Sequence, residues 1–176
     1  MRFDRSSIPE VGRLLAMLTA ARPRGRFAEI GTGCGVGSAW IASALGPEAM
    51  FVTVENDEER AAAAGRLFEQ LPNLRVLQGD WHVLLPPEGP FDLVFFDGGH
   101  WKSGDVAAES EHALELVAPA GVVVIDDMTP EALWPEEWRG RSDPAREFWL
   151  EDPRLRAVEI QTTPRTAAIL ATKTLA

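Results

Sequence analysis

Phe27-Ala28-Glu29-Ile30-Gly31-Thr32-Gly33-Cys34-Gly35-Val36-Gly37-Ser38 is the stretch whose reading decides the fold. Phe27, Ala28 and Ile30 form a short apolar run that reads as a buried strand. The run dissolves into four glycines at every second position, and helical spacing resumes from Val36 to Leu45. A strand that feeds a glycine-rich turn and then opens a helix brings backbone N–H groups against a nucleotide-like ligand. Two residues narrow the ligand. The dinucleotide fingerprint G-x-G-x-x-G/A, begun at Gly31, asks for Gly or Ala where Val36 stands. Begun at Gly33, it meets Ser38 and lacks a strand directly before it. Glu29, two residues ahead of the first glycine, sets a carboxylate where the strand ends. That charge repels a pyrophosphate and suits a ligand carrying an ammonium group.

Composition sets the bounds. A chain of 176 residues is long enough for one domain with a sizeable core. Hydrophobic residues at 45% and charged residues at 25% are ordinary for a soluble globular protein. A net charge of −10 argues against a nucleic-acid partner, which requires clustered Lys and Arg. No run approaches a membrane span, and Met1 to Leu18 lacks the charged-then-apolar layout of a signal peptide. The single cysteine, Cys34, fits a reducing cytoplasm and reads as a small space-filler in the turn.

Outward from the turn, strands and helices alternate. On the N-terminal side, Ser7-Ile8-Pro9-Glu10 reads as a capping box with Ser7 as N-cap, and Val11, Leu14, Leu15 and Leu18 follow at helical spacing. On the other side, Met50 to Val54 is a second strand, stopping at Glu55-Asn56. An acidic group there accepts hydrogen bonds from ribose hydroxyls in nucleotide-binding α/β folds. Asp57 to Leu71 reads as a helix, Leu74 to Leu77 as a third strand followed by Gly79-Asp80-Trp81, with Asp80 also placed to cap a short helix. Phe91 to Asp97 is apolar on both faces and therefore central. Its carboxylate is followed by Gly98-Gly99-His100-Trp101-Lys102, the strongest catalytic signal in the chain. Ser103 to Ala118 reads as a helix and Gly121 to Ile125 as the fifth strand, ending on Asp126-Asp127. An irregular insert, Thr129 to Arg141, carries Trp134 and Trp138. Asp143-Pro144 opens a short helix, and Leu155–Gln161 and Arg165–Ala171 read as a closing antiparallel hairpin. The layout predicts a doubly wound α/β fold: a seven-stranded, mostly parallel, Rossmann-like sheet with a C-terminal antiparallel hairpin, and ligands beyond the carboxyl ends of the strands. His82 and His112 receive no role.

The segment from Glu29 to Gly37 resembles motif I of class I S-adenosylmethionine (SAM) dependent methyltransferases, and the later pieces resemble their further motifs in order. Those pieces are Val52–Glu55, Gly79–Trp81, Phe91–Asp97 and Gly121–Asp127. The resemblance implies SAM as cofactor. Its binding residues would be Glu29, Ile30, Gly31, Thr32, Gly33, Val36, Gly37, Ser38, Glu55, Asn56, Gly79, Asp80, Trp81 and Asp97, with Asp80 meeting the adenine amino group and Trp81 covering the ring. Within that superfamily the chain looks most like the small O-methyltransferases related to the catechol and caffeoyl-CoA enzymes. That likeness implies Mg²⁺ or another divalent cation on Asp97, Asp126 and Asp127, a small hydroxylated substrate, Asp97 with Lys102 or His100 in catalysis, and a homodimer. Lys102 stands further from Asp97 than the family's lysine does, and Asp127 stands where Asn is usual. The alternatives are a SAM-binding protein without catalysis, and a metal-independent N-methyl or aminopropyl transferase. A nicotinamide oxidoreductase ranks last, because Val36 and Glu29 disagree with it.

Overall fold

A computed structural model of the chain describes residues 7–97 and 105–175. Along them run α1 (Pro9–Ala20), β1 (Arg26–Ile30), α2 (Val36–Ala42), β2 (Met50–Glu55), α3 (Glu58–Leu67), β3 (Leu74–Gln78) and α4 (Trp81–Leu84). They continue as β4 (Phe91–Phe96), α5 (Val106–Glu115), β5 (Val117–Met128), α6 (Pro144–Glu151), β6 (Leu155–Thr163) and β7 (Thr166–Lys173). The strands form one seven-stranded sheet in the order β3-β2-β1-β4-β5-β7-β6 among the described residues. β1 to β5 pair in parallel, and β7 runs antiparallel to both β5 and β6. This is the expected doubly wound sheet with its closing hairpin. None of the helices among these residues is long and apolar enough to cross a membrane.

Alternation along each strand divides the core into two layers. Phe27, Phe51, Leu93 and Phe95 face Val11, Leu15, Ile41 and Phe68 from α1, α2 and the end of α3. Ile30, Val94, Phe96 and Ile125 face Trp81, Leu114 and Trp149 from α4, α5 and α6. β4 is the middle strand and is buried on both faces from Leu93 to Phe96, as a strand covered by helices on each side must be.

Four local expectations are corrected. Ser7 does not cap α1: Ile8 is the N-cap residue, held extended before Pro9, and no side chain closes the end. α3 stops at Leu67 rather than Leu71: of Leu67, Phe68 and Leu71 only Phe68 reaches the core, while the two leucines are exposed. Val117 and Ala118 belong to β5 rather than α5. The Lys173 ammonium donates to the carbonyls of Leu114 and Val117, closing the helix, and Val117 then pairs with Phe91. Cys34 fills no space, because it is exposed.

Candidate functional site

The carboxyl ends of β4, β1, β2 and β3 lie side by side in that order. Each delivers a residue singled out in the sequence: Asp97 after β4, the glycine turn after β1, Glu55 at the end of β2 and Asp80 after β3. With neighbouring strands about 4.8 Å apart, the row spans roughly 15 Å. β5 extends it on the far side of β4 with Asp126 and Asp127.

The turn is shaped by backbone that only glycine adopts cheaply: Gly31, Gly33 and Gly35 have φ of 97°, 54° and 82°. This conformation aims the Gly33 N–H at Glu55 Oε2, 2.8 Å away. Glu55 Oε1 accepts from the Asp57 N–H at 3.0 Å and the Arg60 guanidinium at 2.8 Å. Burial pushes the Glu55 pKa up, but the Arg60 hydrogen bond, the two backbone N–H groups and the Arg60 charge outweigh it, so the group is held below the usual glutamate value. A carboxylate accepts about four hydrogen bonds, so a ligand hydroxyl can still join the three already made.

Glu29 is the next-to-last residue of β1, at the strand end, but its side chain does not face the open edge. The parallel register sets it beside Thr53 of β2, and the side chain is fully buried under α2. Its Oε2 accepts from the Ser38 hydroxyl and, at 2.6 Å, from Thr53 Oγ1. Thr53 spends its one proton on Glu29, so Thr32, 2.6 Å away, donates to Thr53. Oε1 is buried with no hydrogen-bond partner among the described residues. Burial, partly offset by Ser38 and Thr53 and reinforced by the charges of Asp97 and Glu55, raises the Glu29 pKa to about 8. Gly37 is what lets α2 close over this oxygen: a Cβ there would stand 2.3 Å from Oε1 and 2.9 Å from the Phe95 ring.

Ser7 is the residue that sequence reasoning assigned elsewhere. Its hydroxyl donates to Asp97 Oδ2 at 3.3 Å and lies 3.1 Å from the position of that hypothetical Gly37 Cβ. The start of α1 is thereby drawn to the end of β4, 90 residues away. No local pattern could have announced it. Ser7, Glu29, Gly37 and Asp97 thus meet in one cluster between the start of α1, α2 and the ends of β1 and β4.

The other predicted residues divide. Ile30 is buried in the core and Thr32 is buried against Thr53, so both offer the row backbone only. Val36 opens α2, half-buried, and Ser38 is occupied by Glu29. Asn56 is exposed, its carbonyl accepting from Gln78. The Gly79 N–H donates to the Glu55 carbonyl. Asp80 caps α4, accepting from the His82 N–H at 3.0 Å, and also lies 2.8 Å from His82 Nδ1. The Trp81 side chain is 9% exposed and stacks on the His82 ring, 3.8 Å between centroids. Asp126 is buried and accepts from the Asp127 N–H at 2.7 Å, while Asp127 is exposed at φ 63°. Among the described residues no three His, Cys, Asp or Glu side chains converge as a metal site. His100 and Lys102 lie outside the described residues.

Beyond β5, the insert forms two short 3-10 turns, Glu131–Leu133 and Glu136–Trp138. Trp134 packs inward, its indole N–H donating to the Thr129 carbonyl and its ring lying under the Arg146 guanidinium. Trp138 and Leu133 are about half exposed. Arg146 of α6, 7% exposed, fastens the base of the insert by bonding Asp143, Glu159 and the Thr129 carbonyl.

Sheet order and the row of strand ends define the class: a doubly wound α/β protein with its ligand edge at the carboxyl ends of the strands. The chain belongs to the methyltransferase family, whose "Methyltransferase domain" model matches residues 28–128. The curated "Probable O-methyltransferase Rv1220c" of Mycobacterium tuberculosis is 28% identical over 123 residues, 66% of this chain and 54% of the relative. The chain therefore spans about half the length of the curated relatives it matches. Among solved structures, the O-methyltransferase TomG from Streptomyces achromogenes, in complex with SAM, is 26% identical with a TM-score of 0.78 over 98% of this chain and 83% of TomG. The O-methyltransferase from Bacillus cereus in complex with SAH shares the fold at 24% identity, TM-score 0.80, over 98% of this chain and 84% of that one.

Proposed function

We propose that the chain transfers the methyl group of SAM to a hydroxyl of a small metabolite. The observation that carries this reading is the spatial order Asp97, glycine turn, Glu55, Asp80 along four adjacent strand ends. An ammonium suits the Asp97 carboxylate beside Ser7, a ribose diol suits Glu55, and a nucleobase amine suits Asp80. SAM presents those groups in that sequence over a comparable length. A pyrophosphate at the glycine turn would sit between the carboxylates of Asp97 and Glu55, which disfavours a nicotinamide cofactor. The likeness to TomG, a SAM complex, supports the same assignment.

The sulfonium then lies near Asp97, and the acceptor comes from the β5 side, where Trp138 and Leu133 offer apolar surface. Transfer forms an O–CH₃ bond as the S–CH₃ bond breaks, its electron pair returning to sulfur and the hydroxyl proton passing to a base. Alignment of acceptor oxygen, methyl carbon and sulfur supplies much of the acceleration. His100 and Lys102, three and five residues beyond Asp97 in the sequence, are the candidate bases. A divalent cation on Asp97, Asp126 and Asp127 would lower the hydroxyl's pKa. These carboxylates are not gathered as such a site among the described residues, so no step is routed through it. A homodimer also belongs to this reading, and light scattering would test it.

Calorimetric titration tests the cofactor first. SAM and SAH should bind at micromolar concentrations while NADH gives no heat, and methyl-labelled SAM should then mark a catechol-like diol. Silence from SAM and SAH would overturn the assignment. Binding of both with no transfer to any hydroxylated acceptor would leave a cofactor-binding protein without this activity.

A further inference from the structure

The facing sides of α4 and α5 hold a cluster behind Asp80, centred on His82, to which the reaction outlined above gives no role. Asp80, at the end of β3, has a side chain 62% exposed. A carboxylate so exposed on a turn ordinarily samples several rotamers. Here one oxygen, Oδ1, accepts from the His82 N–H and lies 2.8 Å from His82 Nδ1. The His82 ring is itself held on three sides. It stacks on the Trp81 indole at 3.8 Å, its Nε2 lies 3.3 Å from Glu109 Oε1 on α5, and its edge meets the His112 ring at 5.2 Å between centroids. Trp81 in turn rests edge-on against Phe96 of β4, 5.6 Å away. A line of contacts therefore runs from the buried middle strand through Trp81 and His82 to the Asp80 carboxylate.

We propose that His82 is a positioning residue for cofactor recognition: it holds Asp80 in the orientation that receives the exocyclic amine of the nucleobase, and so sets the preference for a 6-amino over a 6-oxo purine. This rests on reading the row of strand ends as a SAM site. A carboxylate fixed opposite position 6 accepts from an amine there and repels a carbonyl oxygen, and only by moving could it reach the N1–H that a 6-oxo purine carries, so a fixed carboxylate discriminates between the two bases. A carboxylate free to swing away admits both. Glu109 and Trp81 matter because they keep the His82 ring from turning with Asp80. His112 and Glu115 line the adjoining cavity of about 480 Å³ together with His82, so replacing His82 leaves no sealed void.

The experiment compares SAH with S-inosylhomocysteine, which carries an oxygen in place of the amine, by calorimetry on the full chain. The wild type should favour SAH by roughly 10- to 100-fold, the range for a hydrogen bond to a charged group. In His82→Leu, which leaves Asp80 Oδ1 only the backbone N–H at 3.0 Å, that ratio should fall at least about 3-fold, with thermal melting showing a folded protein. His82→Asn, whose amide nitrogen can occupy the Nδ1 position, should recover most of the preference. A merely structural role for His82 would weaken both ligands alike and leave the ratio where it was, which overturns the proposal. If the Leu variant does not fold, Glu109→Gln decides: the ratio should fall while His82 is present, and an unchanged ratio rejects the inference. A wild type that binds neither ligand removes the SAM reading together with this one, whereas SAH binding with an unaltered ratio in the variants removes this one alone.

Discussion

Replacing Glu29 with Gln should flatten part of the protein's stability–pH profile. Burial dominates the environment of Glu29, Ser38 and Thr53 offset part of it, and the charges of Asp97 and Glu55 add to it, raising the pKa from 4.5 to about 8. In the unfolded chain the group ionises near its ordinary value. Between the two values the native state keeps a proton that the unfolded state has lost, so stability falls as pH rises. Below the window both states are protonated and the contribution is complete; above about 8 both are ionised and it is gone. Each pH unit inside the window is worth about 1.4 kcal/mol. From pH 5.5 to 7.5 the wild type should therefore lose roughly 2–3 kcal/mol relative to Glu29→Gln, whose amide does not titrate. Urea unfolding followed by tryptophan fluorescence at several pH values would measure the difference between the two proteins, cancelling every other titrating group. A difference that stays constant over that range would refute the reasoning, because the buried carboxyl would then be ionised in the native state throughout.

Gly37→Ala drives a methyl group to within 2.3 Å of Glu29 Oε1 and 2.9 Å of Phe95, and should cost about 1–3 kcal/mol by overpacking, read as a lower urea midpoint. Glu55→Gln weakens the hold on both Gly33 and Arg60, and should reduce SAH affinity about 10-fold in calorimetry. Arg146→Met leaves Asp143 and Glu159 without their shared cation and should destabilise by about 3 kcal/mol. Arg146→Lys should restore only part of that in the same unfolding assay, since an ammonium cannot reproduce the guanidinium fork. If Asp97, Asp126 and Asp127 share a cation in the working enzyme, EDTA should abolish methyl transfer and added Mg²⁺ restore it; transfer indifferent to EDTA would assign proton removal to side chains alone.

The sequence by itself determined the architecture and the places where chemistry could occur. Glycines at every second position after an apolar run have one economical conformation, a turn of positive φ between a strand and a helix. A doubly apolar stretch such as Phe91–Phe96 must be covered on both faces. Those are local constraints, legible in local patterns, and the acidic strand ends followed from them by counting. The tertiary structure decided which of these groups meet. Glu29 and Glu55 look alike in the sequence, yet parallel register buries one beneath α2 with two hydroxyls and sets the other against Gly33 and Arg60, so their pKa values move in opposite directions. Ser7 reads as a helix cap and instead reaches Asp97 across the chain. His82, passed over in the sequence, becomes the support of Asp80 because α5 brings Glu109 to its far nitrogen. Spacing along a chain fixes which face a residue occupies, but burial, charge state and partnership depend on what the fold places on the other side.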